Sequence, residues 1–485
     1  MNVSFLQELL NTISEQGRML LPRGLFRDDP ERGMQALVQA LVSERGEASG
    51  VAIARQLLHH YKLLGDEERR AFFRYLAHTL RPTQDTVAEA AHAYAEAPSP
   101  EGLKRLQKAV ESPLQEFFRR LNLAPGATAD IVGMRRDLFR LLRGTPEFTM
   151  VDDDLRHLLY SWFNRGFLVL RRIDWQTPAA ILEKIIAYEA VHEITGWEDL
   201  RRRLDPTDRR CFAFFHPSLI DDPLIFVEVA LTQEVPPAIA PILREPAKQE
   251  EPPEPTTAVF YSISNCQEGL RGISFGNFLI KQVVEELVRE VPSLKKYVTL
   301  SPVPGFVRWL DNEGAEQARE VLGEEYREIR KTLAKPDWYE RERENPSLKA
   351  NVLALAAEYF LRARGTDNKP VDAVARFHLG NGARLESINW LGDPSEKALR
   401  DAFGLMVNYR YELKDIEKNH EAYANDGPVA CSRAVRALLR SSPKTLAAPV
   451  KSKPEPPKAL APPRERGAGP AGNGSREKEP TPGAG

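Results

Sequence analysis

The stretch from Ala258 to Leu310 constrains this chain more than any other. It reads AVFYSISNCQEGLRGISFGNFLIKQVVEELVREVPSLKKYVTLSPVPGFVRWL. AVFYSIS alternates apolar, aromatic and hydroxyl residues at the period of a strand. Gly272 and Gly276 then lead into a segment where Phe278, Leu279, Val283 and Leu287 recur at helical spacing. Pro292 stops that helix, and YVTLS is a second short strand broken by Pro302 and Pro304. Strand, Gly-bearing turn, helix and strand predict a βαβ unit. The backbone N–H groups and dipole at its helix N-terminus suit an anion. The second strand delivers a lone hydroxyl, Ser301, to the sheet end where ligands of such units sit.

The flanking sequence divides in texture. At 485 residues the chain is long enough for two or three domains with their own cores. Residues 1–148 carry apolar residues three and four apart, punctuated by Gly, Pro, Asp and Ser, and predict an all-helical domain. Residues 149–440 predict a mixed α/β domain. Here FLVLRRIDW, CFAFFHP and PLIFVEVALT read as strands, while ILEKIIAYEAVHEI and WEDLRRRLD read as helices. Further on, His378 falls in a helix-to-turn passage marked by Gly380 and Gly382, LRDAFGLMVNYRYEL ends in a strand, and HEAYANDG to ALLRSS reads as one last helix. Residues 441–485 hold too few large apolar side chains to offset ordering entropy, so a disordered tail is expected.

Composition excludes several function classes. A formal net charge of −2 gives no support for a nucleic-acid-binding protein. Cys211, Cys266 and Cys431 are sparse, odd in number and without metal spacing, which suits a reducing compartment. No apolar run approaches the roughly 20 residues of a membrane span. Secretory, transit and peroxisomal signals are not recognisable, so a bacterial-type cytoplasmic protein is expected. The amphipathic helical domain, with no chemistry of its own, is expected to self-associate as a dimer or tetramer.

LRGISFGNFLIK looks like the pyrophosphate-binding strand–loop–helix of GNAT-type acyltransferases, which grip coenzyme A with successive backbone amides. The longer pattern, FYSIS…GL.G…G.FLIK…L.REVP…LSPVPGF..WL, resembles the malonyl-CoA decarboxylase family. The resemblance runs from about Phe148 to Asn425 and includes FFHP…DPLIFVEVALT, FHLGNGARLESINW and GLMVNYRY. It implies a GNAT-like catalytic domain that converts malonyl-CoA to acetyl-CoA and CO2 without biotin or metal. It places the family's catalytic serine on Ser301 and its catalytic histidine on His378. Its CoA loop falls on Arg271, Gly272, Ile273, Ser274, Phe275, Gly276 and Asn277. Many relatives carry an acid where this chain has Ser274, so a carboxylate role does not transfer; Ser274 is left to donate a hydrogen bond or to help cap the helix.

The chemistry asks for such residues. Loss of CO2 leaves an enolate that a directed donor stabilises, and a histidine can return a proton to C2. A serine hydroxyl can orient the malonyl carboxylate or act as a nucleophile. With no Gly-x-Ser-x-Gly elbow and Pro302 directly after Ser301, the first role is preferred. Taken alone, Ser301 is a strand-end hydroxyl in a Ser-Pro turn signal and His378 a residue bonded to turn backbone. His216, Asn389, Tyr409 and Tyr411 either line the pocket or satisfy buried polar groups. Two other readings share the CoA grip: an acyl-CoA-dependent N-acyltransferase of GNAT type, and a helical assembly protein with a non-catalytic CoA-sensing domain.

Overall fold

Apolar residues three and four apart turn the first part of the chain into successive helices, from Pro30–Val42 to Thr149–Trp162. The computed structural model describes residues 30–43, 47–142, 145–244, 254–273, 279–340, 346–425 and 427–440. The expected tail, residues 441–485, lies outside the described residues. The helices close on a core that includes Phe72, Phe73, Leu76, Phe117, Phe118, Leu138 and Phe148. Phe117 and Phe118 are fully buried, and each such side chain contributes roughly 1.5–3 kcal/mol of apolar burial. Ser99 caps the helix Pro100–Val110 by accepting the Gly102 N–H at 3.0 Å.

Downstream lies a mixed sheet of eight strands: β1 (Val169–Ile173), β2 (Arg209–Phe215), β3 (Ile225–Thr232), β4 (Thr257–Asn265), β5 (Lys296–Thr299), β6 (Ser301–Pro302), β7 (Arg384–Asn389) and β8 (Met406–Arg410). The order is β1-β2-β3-β4-β5-β8-β6, with β7 also paired to β8. A helical N-terminal region followed by a mixed α/β sheet is the architecture expected from the sequence. Strands β4 and β5 pair in parallel and are connected by way of the helix Leu279–Glu290, which is the anticipated βαβ unit. That pairing ends at Phe260↔Thr299, while β4 continues to Asn265 without β5, so the two strands part there. A register shift between Glu228 and Val229 bends the β3–β4 pair at the same level.

Three local expectations are corrected. ARLESINW contains strand β7, where no strand was expected; the turn at Gly382 has φ of 80°, and a Cβ there would strike the Ile416 carbonyl, so only glycine closes it. The last helix is two, Ile416–Ala424 and Arg433–Ala437, because Cys431 between them bridges to Leu385 of β7. The helix Ala179–Tyr188 stops before Glu189, whose carboxylate takes the Val191 and His192 N–H groups at 2.8 and 2.7 Å and turns the chain away from helical pairing.

Candidate active site

Ser301 opens β6, on a strand line that β5 begins and Leu300 interrupts, and β8 pairs with both parts. Thr299 and Ser301 are two residues apart and face the same side. The Ser301 Oγ donates to Thr299 Oγ1 at 2.9 Å, so Ser301 is not the lone hydroxyl that the sequence suggested. His378 comes from the last turn of the helix Ala373–Gly380. Asp372 starts that helix by accepting the Ala375 N–H at 2.7 Å, and is itself held by the Tyr359 hydroxyl at 3.1 Å. The His378 Nε2 lies 3.3 Å from Ser301 Oγ. Its Nδ1 lies 2.8 Å from the Tyr411 hydroxyl. Tyr409, two residues back along β8, stacks on the imidazole at 4.6 Å with 24° between the planes. The structure thus brings together four of the residues singled out from the sequence.

Ser301 is 6% exposed and His378 3%. Burial pushes the imidazole down to about 3, so the ring is neutral at pH 7 rather than poised near neutrality. Burial likewise raises the Tyr409 and Tyr411 phenols well above their ordinary range. Among the described residues the Tyr409 hydroxyl has no hydrogen-bond partner. A cavity of about 780 Å³ runs alongside, lined by Pro302 and Pro304 just after Ser301, by Val374 one turn before His378, and by Glu189, His192 and Lys397. It stops short of the Ser301 and His378 side chains themselves. Glu189 closes one wall where β4 and β5 part, accepting from Ser262 at 2.9 Å and Ser264 at 3.1 Å.

The other sequence candidates sit differently. Asn389 donates to Asn408 Oδ1 at 2.7 Å, and Asn408 in turn donates to the Thr299 carbonyl at 2.7 Å. Asn389 therefore supports the strand line from behind. His216 follows β2, three strands from β5; its ring packs on Phe163 and its Nδ1 accepts the Ser218 N–H at 3.2 Å. Of the expected CoA loop, Ser274, Phe275, Gly276 and Asn277 lie outside the described residues. Arg271 and Gly272 are exposed and Ile273 is buried. The Arg271 guanidinium lies over Phe139, 4.2 Å from the ring centre.

Sequence reasoning missed Thr299, Asn408 and Arg135. Thr299 carried a usable signal, the two-residue alternation with Ser301. Asn408 carried a weaker one, an amide inside the apolar run MVNY. Arg135 carried none. It is 1% exposed, on the helix Ala127–Leu141, and pairs with Asp152 at 2.7 Å. Its Nη1 donates to the Gly269 and Arg271 carbonyls, both at 2.9 Å. Gly269 abuts the same helix so closely that a Cβ would fall on the Val132 carbonyl oxygen. The helical region thus holds the entry to the loop.

Among the described residues no group of three or more His, Cys, Asp or Glu side chains is placed to hold a metal, and no helix is long and apolar enough to cross a membrane. A family model of the malonyl-CoA decarboxylase C-terminal domain matches residues 166–448, and one of its N-terminal domain matches residues 80–163. The chain belongs to the malonyl-CoA decarboxylase family. It is 36% identical over 362 residues to the mitochondrial malonyl-CoA decarboxylase of Rattus norvegicus, covering 69% of this chain and 73% of that one. Crystal structures of malonyl-CoA decarboxylases from Rhodopseudomonas palustris and Agrobacterium vitis are 52% and 54% identical to it, with TM-scores of 0.81 and 0.79. Both cover 84% of this chain, and 99% and 100% of their own lengths are covered. The family likeness thus extends into the helical region, where the sequence motifs were vague.

Proposed function

We propose that this enzyme decarboxylates malonyl-CoA to acetyl-CoA and CO2, with Ser301 orienting the malonyl group and handling its proton, and His378 donating a proton to the enolate. The observation that carries the reading is the 3.3 Å approach of Ser301 Oγ to His378 Nε2, both buried beside a cavity. In a dry site a malonyl carboxylate loses its hydration, and breaking the bond to CO2 disperses that charge. The electron pair of this bond passes into the thioester as an enolate, CO2 leaves, and C2 takes a proton. Because His378 is neutral, the proton it gives is a ring N–H, which an enolate carbon is basic enough to accept. A donor aimed at the thioester oxygen stabilises the enolate more than the ground state.

The loop Arg271–Asn277 is assigned to the CoA pyrophosphate on the strength of the family pattern; of its described residues, Arg271 and Gly272 are exposed. The same reading includes no biotin and no metal, so turnover should withstand both avidin and a chelator. It also includes self-association through the helical region, which light scattering on the full chain tests, and a bacterial-type cytoplasmic setting.

Malonyl-CoA incubated with the protein and no acceptor should yield acetyl-CoA, and in D2O that product should carry one solvent deuterium at C2. Product formation only when an amine is added would replace this reading with an N-acyltransferase. Binding without turnover would replace it with a CoA sensor.

A further inference from the structure

We propose, resting on the Ser301–His378 reading above, that Tyr411 is a positioning residue for the decarboxylation: its hydroxyl selects the His378 tautomer that carries its proton on Nε2. It also refills Nδ1 as that proton leaves. The argument is a count of hydrogens. Ser301 has one hydroxyl proton and donates it to Thr299 Oγ1 at 2.9 Å. Thr299 Oγ1 also receives the Tyr409 N–H at 3.1 Å, so two donors converge on it. Ser301 Oγ is therefore the acceptor across the 3.3 Å to His378 Nε2, and Nε2 bears the hydrogen. A neutral imidazole has only one N–H, which leaves Nδ1 bare. The partner of Nδ1 is the Tyr411 hydroxyl at 2.8 Å, which must donate. A buried acceptor without a donor is costly, so this bond biases the tautomer as well as the ring orientation. Stacking on Tyr409 holds the ring plane in place.

The same geometry completes the proton transfer. The Nε2–H bond breaks as the C2–H bond forms, and the Tyr411 proton passes to Nδ1. The ring stays neutral with its proton on Nδ1, and the charge rests on the phenolate. Water entering as product leaves then gives a proton to Nε2 and departs as hydroxide, and the Nδ1 proton returns to the Tyr411 phenolate. Ser301 forms no covalent bond in this sequence of steps, which fits an orienting rather than a nucleophilic serine.

The test is ¹⁵N NMR of histidine-labelled full-length protein, with His378→Asn used to assign the His378 ring signals. Wild type should show a protonated Nε2 and an unprotonated Nδ1, and Tyr411→Phe should show a mixture of tautomers. The same variant should lose about ten-fold or more in kcat with little change in KM, less than the roughly 10²–10⁴ that acid catalysis contributes, because Tyr411 acts through His378. An Nδ1-protonated ring in wild type overturns the proposal, even if Tyr411→Phe fails to fold. So does a folded Tyr411→Phe with wild-type kcat and an unchanged tautomer. Failure of the underlying reading is distinct: it would appear as full turnover by His378→Asn, whatever tautomer the wild-type ring adopts.

Discussion

The Ser301–His378 couple and the loop entry at Gly269–Ile273 are built in opposite ways. The couple is enclosed: both side chains are buried, and Thr299, Tyr409 and Tyr411 contact them from neighbouring strands. The loop entry leaves Arg271 and Gly272 exposed and takes its support from outside the sheet, through Arg135 of the helical region. Chemistry that strengthens when water is removed calls for the first arrangement. Recognition of a polar, charged ligand by backbone calls for the second. The helical region thus takes part in the loop entry, since its Arg135 holds the Gly269 and Arg271 carbonyls.

If the two places do separate jobs, changes at one should spare the other. The largest effect belongs to the couple. Ser301→Ala and His378→Asn should each lower kcat strongly, the histidine variant by about 10²–10⁴, with CoA affinity by calorimetry almost unchanged. The double variant should be little worse than the poorer single, because groups acting as a unit are not additive. Near-normal turnover by His378→Asn would break the comparison at its root.

Next in size is Arg135→Met. Removing one partner of a buried ion pair typically costs 3–5 kcal/mol, and here two carbonyls also lose their donor. Chemical denaturation should show the loss, and KM for malonyl-CoA should rise while kcat is largely kept. A stable variant with unaltered KM would mean that the loop entry does not depend on the helical region.

A smaller effect comes from pH. His378 ordinarily titrates near 6.5 but in the fold only near 3, so the unfolded chain binds this proton first as pH falls. Stability from the neutral ring is full above about 6.5 and is lost as pH falls toward 3; at pH 5 the loss is about 2 kcal/mol. His378→Asn should remove that slope, and denaturation of both proteins at pH 8 and pH 5 measures the difference. Equal slopes would mean that the folded ring takes up its proton as readily as the unfolded one.

The smallest effect expected is that of Gly272→Ala. The φ of 80° strains any side chain, although a Cβ there meets nothing within 4 Å. A destabilisation of about 1 kcal/mol is expected from the backbone alone. Weaker CoA binding beyond that would sharpen the assignment of the loop; unchanged binding would confine Gly272 to turn-making.

Much of the site was legible because its parts are local. The βαβ unit shows in the alternation of AVFYSIS, the glycines and the apolar spacing of the helix that follows. Ser301 shows as a hydroxyl at a strand end, and His378 as a histidine before Gly-Asn-Gly. Strand β7 was missed because RLESIN is half-polar and gains its strand character from pairing with β8. Arg135 was invisible because an arginine on an amphipathic helix reads as solvated until a carboxylate and two carbonyls enclose it.

What the sequence by itself determined is most of the elements and the family pattern, since turn residues, hydrophobic period and motif spacing act over a few residues. The tertiary structure alone decided the contacts. Ser301 and His378 are 77 residues apart, and His378 and Tyr411 are 33 apart, yet they share hydrogen bonds because β8 pairs with β5 and β6, presents Tyr409 to the imidazole and ends one residue before Tyr411. The protonation of His378 was decided there too. Its position depends on how much water the packed strands exclude, which no local run of residues specifies.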